Sequence, residues 1–166
     1  MPIIDIHTLD LISHSPDQTR RYGARLGALL QAGDVVCTEG VLGTGKTCLA
    51  QGIGQGLGIR TPITSPTFTL VSEYRRANAP TLHHIDLYRL ADPVNEALAM
   101  GLDDYLLGDG ICVIEWADRI RPLVPSEHLW LSLRHIDVSK RGLMMNASGD
   151  RYDQILQDFR TSAFGM

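Results

Sequence analysis

The sequence predicts a three-layer α/β domain in which a mixed parallel and antiparallel sheet is flanked by helices. A glycine-rich stretch, GVLGTGKT at 40–47, separates the apolar run 34–39 from a helical pattern of apolar residues over 47–57. Further short apolar runs alternate with helical patterns along the chain. Near the C-terminus, two strand-like runs flank Lys140-Arg141-Gly142, which is typical of an antiparallel hairpin.

The first predicted helix precedes the glycine-rich stretch. SHSPDQT at 13–19 supplies Ser and Pro as start signals for a helix over 20–31, and Gly33 ends it. Apolar residues of this segment fall near one helix face: Tyr22, Leu26, Leu29 and Leu30. The β-branched run 34–39 is predicted to be a buried strand.

The second half of the chain is predicted as an alternation of strands and short helices. Pro62 and Pro66 exclude helix before the strand 67–74, which pairs with TLHHIDLY at 81–88. The remaining elements are a helix from Asp92-Pro93 to about residue 100, a short helix at 102–107 after Gly101, a buried strand at 111–116, the hairpin 129–138 with 143–148, and a terminal helix from about Asp150.

Length and composition predict a single domain over 1–166. The chain has 166 residues, 44% of them hydrophobic, which is enough for one core. The apolar runs are too short to span a bilayer and the first ten residues lack the basic region of a signal peptide, so a cytoplasmic location is expected.

The odd number of cysteines, Cys37, Cys48 and Cys112, indicates reduced thiols. A net charge of −4 with scattered basic residues argues against direct gripping of nucleic acid.

The pattern G-x-x-x-x-G-K-T, satisfied by Gly40, Gly45, Lys46 and Thr47, predicts a loop that binds nucleotide phosphates. Glycines let successive backbone N–H groups point inward at a helix N-terminus, whose dipole favours negative charge. Lys46 adds a positive charge toward the β- and γ-phosphates, and the Thr47 hydroxyl is a ligand for Mg²⁺. ATP and Mg²⁺ are therefore the expected ligands.

Two carboxylates at strand ends are candidates for the chemistry beside this loop. Glu115 follows four uncharged residues, so it is predicted to be the second, acidic anchor of the metal. Alternatively, it is an acidic residue at a strand end that faces solvent. Asp86 is predicted to orient the attacking water or to support the metal's ligands, or else to cap the turn before Tyr88.

Neighbouring aromatic residues carry less information. His83 and His84 are adjacent in a predicted strand, so they point to opposite sheet faces and cannot chelate one metal together. His84 shares a face with Asp86, which permits a hydrogen bond, although a buried core histidine explains it as well. Trp116 either covers the nucleotide site or packs at a strand end.

These segments, taken in order, resemble the TsaE (YjeE) family of small bacterial P-loop ATPases, which act in threonylcarbamoyladenosine synthesis on tRNA. The resemblance covers roughly residues 15–150. It depends on five ordered segments, GVLGTGKT, SPTFTLVSEY, HHIDLYRL, EALAMGLDDYL and VIEW. The phosphate loop alone is generic, whereas SPTF followed by HIDLYRL and IEW at these intervals is specific to that family.

The resemblance implies a role for each matching residue. Catalytic roles fall on Lys46, Thr67, Asp86 and Glu115. Mg²⁺ binding falls on Thr47 and Glu115, and residues 65–67 resemble a switch-like loop whose position depends on the nucleotide. Nucleotide binding falls on Gly40, Leu42, Gly43, Thr44, Gly45, Lys46, Thr47, Cys48 and Trp116. The stretch 140–142 is expected to approach the adenine side.

Two positions depart from the family pattern. The family usually has an acidic residue where this chain has Val41, and Thr or Ser where it has Cys48. Neither departure removes a group that phosphate binding requires. They bear instead on the rate of hydrolysis and on partner contact at Val41.

By resemblance, ATP binding and slow hydrolysis drive or reset a complex of TsaD and TsaB, which transfers threonylcarbamoyl to the adenosine beside the anticodon. The resemblance thus implies that tRNA is an indirect partner.

A small-molecule kinase shares the loop and the length, but needs an arginine-rich lid, for which YRRANAP at 74–80 is the candidate. A regulatory GTPase needs the tetrapeptide N-K-x-D, which the sequence lacks. A nucleotide-binding assembly module, in which hydrolysis is incidental, is the third alternative.

Overall fold

The computed structural model describes residues 3–64 and 70–165, which form a sheet with helices on both faces. The strands are β1 Ile3–Asp5, β2 Thr8–Ser13, β3 Val35–Glu39, β4 Val71–Arg76, β5 Ala79–Asp86, β6 Ile111–Glu115, β7 His128–His135 and β8 Arg141–Ser148. The helices are α1 Pro16–Gly27, α2 Lys46–Gly56, α3 Pro93–Ala99, α4 Leu102–Leu106 and α5 Asp150–Phe164, and a 3₁₀ segment spans Ala117–Leu123.

The described strands form one eight-stranded sheet in the order β1-β2-β8-β7-β3-β6-β5-β4. Its centre, β7-β3-β6-β5, is parallel, and the strands on both sides of this centre are antiparallel. The predicted mixed sheet is therefore confirmed. Because the four central strands run in the same direction, their carboxyl ends meet along one edge.

Two apolar clusters lie on opposite faces of the sheet. The first lies between the sheet and α1, α2 and α5, with Leu26, Leu49 and Phe159 fully or almost fully buried. The second lies under α3, α4 and the 3₁₀ segment. Along β6 the residues alternate between the clusters, so that Val113 belongs to the first and Ile114 to the second. This alternation directs Glu115, at the end of β6, toward the α2 side.

Helix α1 begins earlier and ends earlier than the sequence predicts. Ser15 accepts a hydrogen bond from the Gln18 N–H and Pro16 occupies the first turn, so the helix begins at Pro16 and not at residue 20. It ends at Gly27, because the following amides of Leu29 and Leu30 bond three residues back, which tightens the chain into turns.

The N-terminal strands β1 and β2 are absent from the prediction. The segment 8–13 alternates interior and exterior residues, with Leu9 and Leu11 buried, which is a strand signal of only six residues. Its pairing with β8 places Leu9 opposite Met145. Whether so short an alternating segment forms a strand depends on its pairing with a distant strand, which the local sequence does not reveal.

The remaining predicted elements are confirmed within one to four residues. The predicted strand 67–74 is observed as β4, and residues 65–69 lie outside the described part of the chain. The candidate lid at 74–80 consists of the end of β4, the turn at 77–78 and the start of β5. Its arginines take part in the hairpin, since Arg76 donates to the carbonyls of Leu57 and Pro80 and Arg75 lies 3.7 Å from Glu73.

Helices α1 and α2 pack closely through glycines. A Cβ atom on Gly52 would lie 2.1 Å from the Arg20 carbonyl oxygen, and one on Gly56 would lie 2.1 Å from that of Ala24. From the other helix, a Cβ atom on Gly27 would lie 2.2 Å from the Ile53 carbonyl oxygen. The two backbones therefore meet at a distance that only glycine permits. This contact fixes α2, whose first turn carries Lys46 and Thr47.

Candidate nucleotide and metal site

The glycine-rich loop connects the carboxyl end of β3 to the first turn of α2. Gly45 adopts the left-handed conformation, with φ of +104°, immediately before the helix starts at Lys46. No side chain caps the start of this helix, and the first turn of a helix is a place where backbone N–H groups bind anions. The loop thus has the arrangement that phosphate binding requires.

The base of the loop packs tightly against β7. A Cβ atom on Gly40 would lie 2.6 Å from both the Leu133 carbonyl oxygen and the Thr44 hydroxyl oxygen. Thr44 is fully buried, and its hydroxyl donates to the Val41 carbonyl at 2.8 Å. Val41 and Leu42 are more than 60% exposed at the tip of the loop. The interior of the loop is therefore fixed by packing, whereas its tip projects outward.

Lys46 is held inside the loop. Its Nζ donates to the carbonyls of Gly40, at 2.5 Å, and Val41, at 3.0 Å. The same ammonium lies 4.2 Å from the centroid of the Trp116 ring, which is a cation–π distance. Burial lowers the pKa of Lys46, and the charges of Glu115, Asp86 and Asp118 oppose that shift. Lys46 is the cation of the phosphate loop, and here it is held by backbone oxygens.

Glu115 is buried and faces the first turn of α2. It is 2% exposed, so the alternative of a carboxylate facing solvent is wrong. The Thr47 hydroxyl donates to Glu115 Oε1 at 3.1 Å and lies 3.5 Å from Oε2. His84 Nε2 lies 2.5 Å from Oε2. A carboxylate and a threonine hydroxyl, side by side under the loop, are the oxygen ligands that Mg²⁺ uses together with nucleotide phosphates.

Asp86 lies at the same sheet edge, directly across from Glu115 in the β5–β6 register. Its Oδ1 accepts the Tyr88 N–H at 3.0 Å, so it caps the turn, as one of the two predicted alternatives states. The hydrogen bond that the shared face of Asp86 and His84 permits is not observed, because His84 turns to Glu115 on the neighbouring strand. The other interpretation of His84, a buried core histidine with a hydrogen-bond partner, is confirmed. Asp86 remains half-buried, and its charge acts on Lys46.

His83 and His84 point to opposite faces of β5, as the sequence predicts. The His83 ring contacts the Tyr105 ring at a centroid distance of 4.9 Å, in the layer of α4. His84 is fully buried on the α2 side. The contact between His84 and Glu115 is missed by the sequence analysis, although both residues fall on the same sheet face by the two-residue period.

Trp116 follows Glu115 in the left-handed conformation, with φ of +62°. The Arg119 guanidinium lies 5.3 Å from its ring centroid, and the Tyr88 ring lies 5.0 Å away. Arg119 also donates to the carbonyls of Tyr88 and Leu90. The tryptophan therefore contacts Lys46 while packing against the turn after β5. Arg119, which joins the two segments, is a further residue that sequence reasoning misses.

A cavity of about 120 Å³ lies on the outer side of the loop. Its lining residues come from the loop, from α1 and from the β7–β8 turn: Pro16, Thr19, Gly43, Thr44, Gly45, Cys48, Val138, Ser139 and Arg141. Arg141, the first residue of β8, donates from Nε to the Gly43 carbonyl at 3.3 Å, so the stretch 140–142 contacts the glycine-rich loop. Its approach to the adenine side stays a prediction. Leu42 is exposed, and its carbonyl lies 3.4 Å from His135 Nε2.

The structure brings most of the predicted site residues to one edge of the sheet. Lys46, Thr47, Glu115, Asp86 and Trp116 surround the inner side of the loop. Cys48 lines the outer cavity, where Thr19 and Pro16 of α1 are additions that no sequence signal marks. Thr67, the remaining predicted catalytic residue, lies outside the described residues.

The described residues contain no cluster of three or more His, Cys, Asp or Glu side chains able to hold a metal ion. Mg²⁺ at a phosphate loop needs none, because phosphate oxygens and water supply most of its ligands. None of the helices within residues 3–64 and 70–165 has the length and hydrophobicity of a membrane span.

Comparison with known proteins supports one family. Residues 13–143 match the model of the family described as "Threonylcarbamoyl adenosine biosynthesis protein TsaE". The chain is 36% identical to the tRNA threonylcarbamoyladenosine biosynthesis protein TsaE of Bacillus subtilis (strain 168), over 87% of this chain and 89% of that one. It is 42% identical to the protein of the same name from Treponema pallidum (strain Nichols), over 74% of this chain and 89% of that one.

Among solved structures, the crystal structure of Bacillus subtilis YdiB has the same fold. The two superpose with a TM-score of 0.78 at 31% sequence identity, over 93% of this chain and 95% of YdiB. Sequence and structure agree on most of the chain's length, and the matched region includes the loop, both carboxylates and Trp116. The chain therefore belongs to the TsaE family of threonylcarbamoyladenosine biosynthesis proteins.

Proposed function

We propose that this chain binds ATP with Mg²⁺ at the glycine-rich loop and hydrolyses ATP slowly, to drive or reset a TsaB–TsaD complex that forms threonylcarbamoyladenosine on tRNA. The observation that carries the proposal is the meeting of Lys46, Thr47 and Glu115 under the glycine-rich loop, at a helix start that no side chain caps. Membership of the TsaE family supports the pathway. The relatives are named for tRNA modification, which supports a cytoplasmic setting.

The residues present fit ATP and Mg²⁺. Backbone N–H groups of the loop and the Lys46 ammonium would bind the phosphates. Thr47 and Glu115 would hold Mg²⁺, since their oxygens already face each other at 3.1 Å. When bound, Mg²⁺ neutralises negative charge on the phosphate oxygens. The outer cavity, between Thr19 and Arg141, is the proposed place of the base and ribose.

Lys46 exchanges partners in this proposal. In the structure its Nζ lies within hydrogen-bond distance of two backbone carbonyls and 3.5 Å from the buried Thr44 hydroxyl. Phosphate oxygens are charged acceptors and form stronger hydrogen bonds with an ammonium than neutral carbonyls do. Lys46 therefore turns toward phosphate, which changes its contact with Trp116. The indole thus reports nucleotide binding.

Slow hydrolysis is proposed because the arginines around the loop have other partners. Arg141 donates to the Gly43 carbonyl, Arg119 to the carbonyls after β5, and Arg121 lies 3.5 Å from Glu39. An arginine that stabilises the transferring phosphoryl group is a large part of fast hydrolysis in this class of enzyme. Asp86, which lies across from Glu115, is the candidate to orient the attacking water.

The alternative function is a small-molecule kinase that uses the same loop. Such an enzyme closes an arginine-bearing lid over its second substrate. The sequence candidate for that lid is part of the β4–β5 hairpin, and its Arg76 donates to the carbonyls of Leu57 and Pro80. This arrangement favours the ATPase over the kinase.

The two functions differ in the fate of the γ-phosphate. With γ-labelled ATP and Mg²⁺, we expect the label to appear only as inorganic phosphate, slowly with the protein alone and faster once TsaB and TsaD are added. Chromatography of the labelled products, with and without a mixture of bacterial metabolites, makes the measurement. Label transferred to a metabolite would establish a kinase instead, and fast multiple turnover by the protein alone would contradict slow hydrolysis.

A further inference from the structure

We infer that His84 is a positioning residue, which holds the carboxylate of Glu115 in the orientation that Mg²⁺ binding requires. The inference rests on the proposed function, since it concerns the same metal site. It assigns to the site a residue from β5 that contacts Oε2, the oxygen of Glu115 that lies farther from the Thr47 hydroxyl.

The contact between His84 and Glu115 is short and is excluded from solvent. Nε2 of His84 lies 2.5 Å from Oε2 of Glu115, and the side chains are 0% and 3% exposed. A carboxylate that binds Mg²⁺ offers only acceptors, so in this inference Nε2 of His84 is the donor of the hydrogen bond. Because water is excluded from both groups, no solvent molecule replaces this donor when it is removed.

The two carboxylate oxygens of Glu115 therefore have different neighbours. Oε2 is bound by His84, and Oε1 is the nearer oxygen to Thr47, at 3.1 Å against 3.5 Å for Oε2. A carboxylate turns readily about its terminal bond unless a neighbour fixes it. His84 supplies that restraint, and the Oε1 lone pairs then face the threonine hydroxyl that is the other proposed ligand.

Ligands of metal ions in proteins are themselves commonly hydrogen-bonded by neighbouring side chains, which orient them. Residues that hydrogen-bond a metal ligand from behind in this manner commonly change metal affinity by about 10–100-fold when they are replaced.

His83 provides a matched control on the same strand. It is adjacent in sequence and is the same residue type, but it lies on the opposite face of the sheet, against Tyr105. Its Nδ1 lies 3.8 Å from Glu73, and Glu73 belongs to β4, not to the loop. A substitution there disturbs β5 without touching Glu115.

The test measures how Mg²⁺ changes the affinity for ADP in four variants. His84→Leu removes the donor, His84→Asn keeps an amide that is too short to reach, and His84→Gln places an N–H near the original Nε2 position. His83→Gln is the control. Titration calorimetry with ADP, in EDTA and over a series of MgCl₂ concentrations, gives the metal-free dissociation constant and the Mg²⁺ concentration for half of the effect.

We expect the half-effect Mg²⁺ concentration to rise about 10–100-fold in His84→Leu and His84→Asn, to recover in part in His84→Gln, and to stay at the wild-type value in His83→Gln. ADP affinity in EDTA should change less than twofold in all of them. Thermal unfolding shows which variants are folded, and His84→Asn makes the same comparison if His84→Leu does not fold.

The outcomes separate the inference from the proposed function. If the wild-type protein has the same ADP affinity with and without Mg²⁺, the proposed metal site itself is contradicted. A Mg²⁺ response in the wild type that survives unchanged in His84→Asn and His84→Leu would overturn the role of His84 alone. Equal losses in EDTA and in MgCl₂ would mean that His84 acts only on the fold, which also overturns the inference.

Discussion

Replacing Lys46 with alanine is expected to weaken the binding of MgATP about 10–100-fold, because it removes a charged donor from the phosphates. Hydrogen bonds to charged groups contribute about 1.5–3 kcal/mol, which corresponds to that range. The helix N-terminus and Thr47 remain, so binding weakens without disappearing. Titration calorimetry measures the dissociation constant of both proteins.

Arg21→Ala is the charge-matched control for this substitution. Arg21 is exposed on α1 and also carries one positive charge, so its removal tests whether net charge alone matters. We expect its dissociation constant for MgATP to stay within twofold of the wild-type value. Equal affinity of Lys46→Ala and wild-type protein would remove the phosphate-binding role of the loop lysine.

Replacing Gly52 with alanine is expected to lower the free energy of unfolding by about 2–3 kcal/mol, in the range of an overpacked interior. Alanine favours helix by about 1 kcal/mol over glycine, so helix propensity predicts the opposite sign. The clash decides the outcome, because the new Cβ would lie 2.1 Å from the Arg20 carbonyl oxygen and both partners are backbone. Thermal unfolding should show a midpoint about 5–10 °C lower.

Gln55→Ala tests helix propensity in the same helix without the clash. Gln55 is exposed on α2, so its replacement should leave the midpoint within about 2 °C of the wild-type value. A stabilised Gly52→Ala variant would show that α1 and α2 separate easily. In that case the close contact of the two helices would not be what fixes the first turn of α2.

The arrangement of the loop and its two flanking elements could be predicted from the sequence because it depends on local spacing. The phosphate loop, the strand before it and the helix after it are contiguous, so the pattern G-x-x-x-x-G-K-T specifies all three. Glu115 is predictable for a similar reason, since an acidic residue ending an apolar strand is conspicuous. The two-residue period also separates His83 from His84 correctly.

Features that depend on pairing between distant segments could not be predicted. The partner of His84 is decided by the parallel register of β5 and β6, which places His84 opposite Val113 and therefore diagonal to Glu115. The strand β2 exists because β8 pairs with it. The cavity joins α1, the loop and the β7–β8 turn, and no local pattern marks Thr19 or Arg141 as its neighbours.

In the proposed function, the loop holds ATP in order to sustain repeated cycles of tRNA modification. The most direct measurement is the amount of threonylcarbamoyladenosine formed over many cycles by TsaB, TsaD, the enzyme that forms threonylcarbamoyl-adenylate, tRNA and ATP, with either this protein or its Lys46→Ala variant added. We predict that the wild-type protein sustains formation beyond the first cycle and that Lys46→Ala does not. Equal product with the two proteins, or no stimulation by either, would contradict the claim.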